Sequence, residues 1–314
     1  METQVLIDEA IENLQSTVDD TAIIACSGGI DSTVAAVLAH RALGNLLNCI
    51  YVDTGFMRKN ESTEVSQMFS EMGINLKVVD ASSIFFKSLE GITDPEEKRK
   101  IIGEQFIRVF EKEQDTCSAK YLIQGTIAPD WIESGGGERD TIKSHHNVGG
   151  IPDEISLEII EPLREFYKDE VREIARKIGI KSSERQPFPG PGLAVRVLGE
   201  LTPERVETCR SACHLVETMI DEAAKNGRCD LPWQYFASLL PVRSVGVHGD
   251  VRVHGETIVV RAVKSIDGMS AKYSELPHDL LQEISTEITN SLKGQVNRVV
   301  YDITHKPPGT IEWE

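Results

Sequence analysis

Apolar positions along the chain follow two alternating rhythms. The run in "TAIIACS" is continuous from Ala22 to Cys26, and from Asp31 to Leu43 the apolar residues recur at helical spacing. The same pairing returns in "LLNCIYVD" (46–53), followed by a helix from about Asn60 to Met72, and in "NLKVVDAS" (75–82), followed by helical segments reaching about Gln114. "KYLIQGT" (120–126) is a further buried strand, and an irregular stretch runs from Ile127 to Pro152. "SLEIIEPLR" (156–164) and a helix over "KDEVREIARKIG" (168–179) close the series. Short continuous apolar strands alternating with amphipathic helices predict a parallel α/β sheet covered on both faces. Ligands of such sheets collect at the carboxyl ends of the strands. The polar clusters at 26–32, 53–58 and 125–133 all fall there.

The rhythm breaks at "KSSERQPFPGPGL" (181–193), where three prolines and two glycines fall within six residues, so neither a helix nor a central strand continues. This predicts a boundary between domains at 1–188 and 189–314. Beyond it come a long helix from about Pro203 to Lys225, two strands joined through "VHGDVRVHGE" (247–256), and the strand-like "TIVVRAVKSI". A helix from about Pro277 to Leu292 and the strand "QVNRVVYDIT" (295–304) follow. The expected product is a smaller, β-rich α+β domain ending in "HKPPGTIEWE", with the tail docked rather than frayed.

Composition narrows the class. Apolar residues make up 40% of 314 and charged residues 26%, the profile of a soluble globular protein with room for two cores. No window approaches the roughly 18 uninterrupted apolar residues of a membrane span. The N-terminus has no basic region ahead of its apolar residues, so it does not read as a signal peptide, and a cytoplasmic setting is expected. Fifty acidic against 33 basic residues give a charge of −17, which disfavours a nucleic-acid partner. The six cysteines include no C-x-x-C pair and read as reduced, mostly buried thiols. Cys209 and Cys213, i and i+4 on one helix face beside His214, would need further ligands to hold a metal.

The most informative stretch is Ser27-Gly28-Gly29-Ile30-Asp31-Ser32. Strand, glycine turn and helix start together aim free backbone N–H groups and the positive end of a helix dipole at an anion, with Ser27 and Ser32 adding hydroxyls. Asp31 would repel bare phosphate but suits a bridging Mg²⁺. The lysine of the usual phosphate loop is missing. A tight turn with Asp31 or Ser32 as cap is the alternative.

Taken whole, that string after a buried strand resembles the loop of the ATP pyrophosphatases, which split ATP between its α and β phosphates. The resemblance implies an adenine nucleotide α-hydrolase-like domain in which the loop cradles the departing diphosphate. "YVDTGFMRKNE" (51–61), "QGTIAPDWIES" (124–134), "IKSHHNVGGIP" (142–152), "EPLREFYKDEVR" (161–172), "RQPFPGPGLAVRVLGE" (185–200), "LPVRSVGVHGD" (240–250) and "KPPGTIEWE" (306–314) are similar to the GMP synthases over nearly the whole chain. That family adenylates the C2 oxygen of xanthosine monophosphate (XMP) and lets ammonia displace AMP. About 20 residues precede the loop and no cysteine stands in a Gly-Cys-Gly elbow, so the resemblance implies a synthetase subunit fed with ammonia by a separate glutamine amidotransferase.

The resemblance also implies roles. ATP would be held by Ser27, Gly28, Gly29, Asp31, Ser32, Asp53 and Gly125, with Mg²⁺ at Asp31 and Asp130. Asp130 and Glu133 fit metal ligands, partners steering a mobile lysine, or a solvated helix face. The glycine-rich stretch within 127–152 fits a lid, with Lys143 entering the site and His145 and His146 beside it. Lys168 and Asp169 match residues implicated in ATP handling. XMP would fall to Arg58, at its phosphate, and to Gln234, Arg298, Lys306, Ile311 and Glu312 in a C-terminal domain that also dimerises. Two other classes compete: NAD synthetases or tRNA thiolases, which adenylate different oxygens, and a sensor that holds ATP without turnover. The thiolases' paired cysteines and basic surface are missing here, and the resemblance gives NAD synthetases no tail module. XMP-dependent release of pyrophosphate separates the rest.

Overall fold

A computed structural model describes residues 2–128, 157–180, 186–266 and 268–314. The described chain divides into two compact units, one made of 1–55, 60–85 and 100–185, the other of 56–59, 86–99 and 186–314. The second unit therefore takes in two segments, Phe56–Lys59 and Phe86–Arg99, that a single cut at 188/189 leaves in the first.

The first unit is built on five parallel strands: β1 (Ala22–Ala25), β2 (Leu47–Asp53), β3 (Leu76–Asp80), β4 (Tyr121–Ile123) and β5 (Glu158–Ile160), in the order β3-β2-β1-β4-β5. Ile24 pairs with Cys49 on one side and Ile123 on the other, and Tyr51 with Val78. The chain builds outward from β1 through β2 to β3, then returns to lay β4 on the opposite side of β1. The order reverses between β1 and β4, the position at which open sheets of this kind place their ligands.

Helices α1 (Glu2–Thr17), α2 (Ile30–Leu43), α3 (Glu61–Glu71), α4 (Ser82–Ser88), α5 (Pro95–Cys117) and α6 (Lys168–Ile178) lie among these strands in sequence. In α2 every residue from Thr33 to Ala39 is buried, because α1 and α6 also pack on it. In α6 the apolar side is Val171, Ile174 and Ala175, and the charged residues take the rest of the surface.

The second unit holds α7 (Pro203–Lys225), β6 (Gln234–His248), β7 (Val251–Lys264), β8 (Lys272–Tyr273), α8 (His278–Ser291) and β9 (Val296–Tyr301). β6 and β7 form one long antiparallel hairpin; β8 pairs antiparallel with the far end of β7, and β9 pairs with it in parallel. Thr202 caps α7 by accepting from Arg205 N–H at 3.2 Å, with Pro203 in the first turn. Val206, Cys209, Ala212, Cys213, Val216, Ile220 and Ala223 form its buried stripe. Cys209 and Cys213 are part of that packing: the Cys213 thiol lies 3.1 Å from the Ala237 carbonyl, and no metal-binding cluster occurs among the described residues.

Candidate functional site

The loop after β1 is organised by its two serines. Ser27 N–H donates to Ser32 Oγ (3.2 Å), the two hydroxyls lie 3.0 Å apart, and Gly29 N–H leans on Ser27 Oγ (3.3 Å). Ser32 Oγ and Thr33 Oγ1 reach back to the Gly29 carbonyl at 3.1 and 2.8 Å. These bonds fix the turn without a side-chain cap at the helix start, since Gly29 is the N-cap residue. The first-turn N–H groups of α2 accordingly have no intrahelical acceptor and point their dipole outward. Gly28 has φ +77°, and a Cβ there would stand 2.9 Å from Val65 Cγ2.

Gly125, just past β4, lies against the same turn. A Cβ on it would lie 3.0 Å from Asp31 C and from Ser32 N, so only a bare backbone passes so close to the helix start. Lys168, first residue of α6, places Nζ 3.2 Å from Asp31 Oδ2. Its side chain is 48% exposed, so this ion pair is weak and easily exchanged for a stronger anion. The other oxygen, Asp31 Oδ1, is buried without a hydrogen-bond partner. A carboxylate with one orphaned oxygen beside the free N–H groups of a helix start fits a hard divalent cation.

Two neighbours behave differently. Asp53 spends both oxygens on its own turn, Oδ1 accepting from Gly55 N–H (2.9 Å) and Oδ2 from Ser62 Oγ (2.5 Å). It shapes the β2 loop. Asp169 is 96% exposed and faces Arg172. Asp130, Glu133, Lys143, His145 and His146 lie outside the described residues.

In the second unit Glu312 and Gln234 join, and Arg58 shares the Phe188 ring with, an arginine that sequence reasoning missed. Arg196 is fully buried, and its Nε and Nη2 grip Glu312 Oε2 and Oε1 at 3.0 and 2.8 Å. Burial opposes the Arg196 charge, but the Glu312 carboxylate more than offsets it, and the guanidinium is held protonated beyond its ordinary range. Gln234 Nε2 donates to the same Glu312 Oε1 at 2.8 Å and leans toward the Pro187 carbonyl at 3.4 Å. Arg196 stacks 4.1 Å from the Phe236 ring and 4.9 Å from Phe188, while Arg58 covers Phe188 at 4.3 Å. Arg58 also donates to the Gln186 carbonyl at 3.2 Å. Ile311 is 8% exposed and anchors the segment. Lys306 donates to the Gly268 carbonyl (2.8 Å) and Arg298, exposed on β9, to Ser244 Oγ (3.3 Å), outside this network. The signal for Arg196 was present: an arginine set inside the apolar run Leu193–Val197 must be paired or costs stability.

Residues 3–108 match the family described as NAD synthase, and residues 221–313 the family described as GMP synthase C terminal domain. With the parallel sheet, this makes the chain an ATP pyrophosphatase, a ligase. It is 53% identical over 314 residues to a subunit of the glutamine-hydrolyzing GMP synthase of Thermoplasma acidophilum, covering 100% of both chains. It is 55% identical over 312 residues to the corresponding GMP synthase subunit of Thermococcus kodakarensis, covering 98% of each. A longer relative, the glutamine-hydrolyzing GMP synthase of Thermotoga petrophila, is 52% identical over 315 residues, which cover 98% of this chain and 62% of that one. The chain belongs to the GMP synthase family, as the synthetase subunit of its two-subunit type. Among the described residues no helix is long and apolar enough to cross a membrane.

Proposed function

We propose that the chain makes GMP from XMP, ATP and ammonia. The XMP C2 oxygen attacks the α-phosphorus of ATP, the bond from that phosphorus to the bridging oxygen breaks, and pyrophosphate leaves. Ammonia then adds at C2, and AMP departs with the oxygen. The carrying observation is the loop at Ser27–Ser32, whose outward N–H groups and hydroxyls suit a leaving diphosphate and carry no cation of their own for a γ-phosphate. Gly28, Gly29 and Gly125 let phosphate approach the backbone, and Lys168 is available to exchange Asp31 for a phosphate oxygen. Mg²⁺ would be held by Asp31, with Asp130 as a second carboxylate, and would offset the charge on the leaving diphosphate. By family resemblance Lys143 supplies a further positive charge at the α-phosphate, with Glu133, His145, His146 and Asp169 in support and Asp53 shaping the pocket edge.

XMP recognition falls to Arg58, Gln234, Ile311 and Glu312, with Lys306 and Arg298 reserved for its 5′-phosphate. The ammonia comes from a separate glutamine amidotransferase, and the protein works in the cytoplasm. Residues 1–188 act as the ATP pyrophosphatase domain, apart from Arg58, whose segment 56–59 belongs to the second unit, and 189–314 as the XMP-binding and dimerisation domain. The valines of the β6–β7 hairpin support a dimer through that domain: Val245, Val247 and Val251 are 50%, 66% and 64% exposed, an apolar surface suited to a second copy. The test is pyrophosphate release from ATP with ammonium salt, with and without XMP. XMP-dependent release with GMP formed in equal amount is expected. ADP and orthophosphate as products, or release indifferent to XMP, would overturn the reading.

A further inference from the structure

We infer that Arg196 is a positioning residue for the purine nucleotide, acting through Glu312 and Gln234 without touching the ligand itself; this rests on the reading above. Its side chain is completely buried, so a ligand meets it only through its partners. The grip is made by Nε and Nη2 on the two oxygens of one carboxylate, a planar fit that sets the direction in which the Glu312 lone pairs point. Glu312 Oε1 then carries two donors, Arg196 Nη2 and Gln234 Nε2. A carboxylate only accepts, so the Gln234 amide is fixed with its nitrogen toward Glu312. That nitrogen is fully used between Glu312 and the Pro187 carbonyl. Two acceptors are left unspent and held in register: the Gln234 carbonyl oxygen and the second lone pair of Glu312 Oε2. Glu312 keeps 18% of its side chain open, so one edge of this pair is reachable.

The chemistry that answers two fixed acceptors is a pair of donors. XMP offers these as ring N–H groups or ribose hydroxyls, and a purine nucleotide lacking them would leave buried acceptors unpaired. Phe188 and Phe236, against which Arg196 is stacked, keep the guanidinium from rotating away. Lysine preserves the charge but offers a point donor in place of the planar fork, so it cannot set the carboxylate plane.

The test is the Michaelis constant for XMP, with that for ATP as internal reference, in Arg196→Lys, Glu312→Gln and the double variant. Michaelis constants do not depend on the fraction of folded enzyme. Arg196→Lys is expected to raise the XMP constant at least tenfold and keep the ATP constant within twofold. In the Glu312→Gln background the same substitution is expected to add less than twofold, since the residue it orients has already lost its charge. An XMP constant within twofold of wild type for Arg196→Lys, or a double variant equal to the product of the singles, would overturn the inference. If Arg196→Lys yields no folded protein, Arg196→Met in the Glu312→Gln background replaces it, because neither side chain then leaves a buried charge alone. Its XMP constant should match that of Glu312→Gln, whose amide oxygen still accepts from Arg196, and a further tenfold rise would refute the role. A wild-type enzyme that ignores XMP would instead remove the functional reading beneath it.

Discussion

Replacing Glu314, the last residue, with glutamine should destabilise the second unit severely for so small a change at a terminus. Lys98 is fully buried, and its ammonium is held by the Glu314 carboxylate, the Val197 carbonyl at 2.9 Å and the Ala194 carbonyl at 3.4 Å. The Glu314 side chain is only 8% exposed, so water screens little of this pair. Its other oxygen accepts from Gly199 N–H at 3.1 Å, and glutamine can satisfy that bond only by turning its NH₂ toward the lysine. Removing one member of a buried pair leaves the other uncompensated, a loss of about 3–5 kcal/mol. At about 3 °C per kcal/mol for a unit of this size, the melting temperature should fall by roughly 10 °C. The pH dependence has a definite sign. Burial lowers the Lys98 pKa below its usual 10.5, with Glu314 partly opposing the shift. The folded chain therefore holds that proton less firmly than the unfolded chain, and the burden is present at neutral pH and relieved as pH rises toward 10.5. Loss of Glu314 removes the opposing influence, so the deficit of the variant should shrink as pH rises from neutral toward 10.5. Denaturant unfolding across that range, with Lys98→Met/Glu314→Leu as the repaired pair, measures it. A Glu314→Gln protein within about 1 kcal/mol of wild type at neutral pH would refute the account.

Other outcomes can be checked with standard kinetics. Gly28→Ala combines a left-handed backbone with a 2.9 Å clash at Val65 and should reduce kcat/KM for ATP at least about a hundredfold, read by pyrophosphate release. Asp31→Asn should raise the Mg²⁺ requirement about tenfold or more in a titration of activity against metal; an unchanged midpoint would argue against Asp31 as ligand. Lys143→Ala should leave the ATP dissociation constant within a few-fold and lower adenylation at least about tenfold, as expected for a contact made in the transition state. Ammonium alone should support GMP formation, and glutamine should do so only when the amidotransferase is added.

The apolar rhythm alone gave the parallel sheet, because strands covered on both faces must be continuously hydrophobic and their helices amphipathic. Strand order followed only from pairing, while the turn at Ser27–Ser32 between a buried strand and a helix was legible from its glycines, although the N-cap is Gly29 and neither Asp31 nor Ser32. Asp53 shows the limit of such reading: its place at a strand end is legible, whereas the bonds its oxygens accept from Gly55 N–H and Ser62 Oγ appear only in the folded chain. Local sequence determined the elements and the glycine turn at Ser27–Ser32, because those depend on neighbours within a few residues. Only the tertiary structure decided that Phe56–Lys59 joins the second unit. It also decided that the tail is fixed by three buried cations, Arg261 at Asp302, Arg196 at Glu312 and Lys98 at Glu314. Those partners lie 41 to 216 positions apart, and no rule of spacing links them; what pairs them is the free-energy penalty of burying a charge alone.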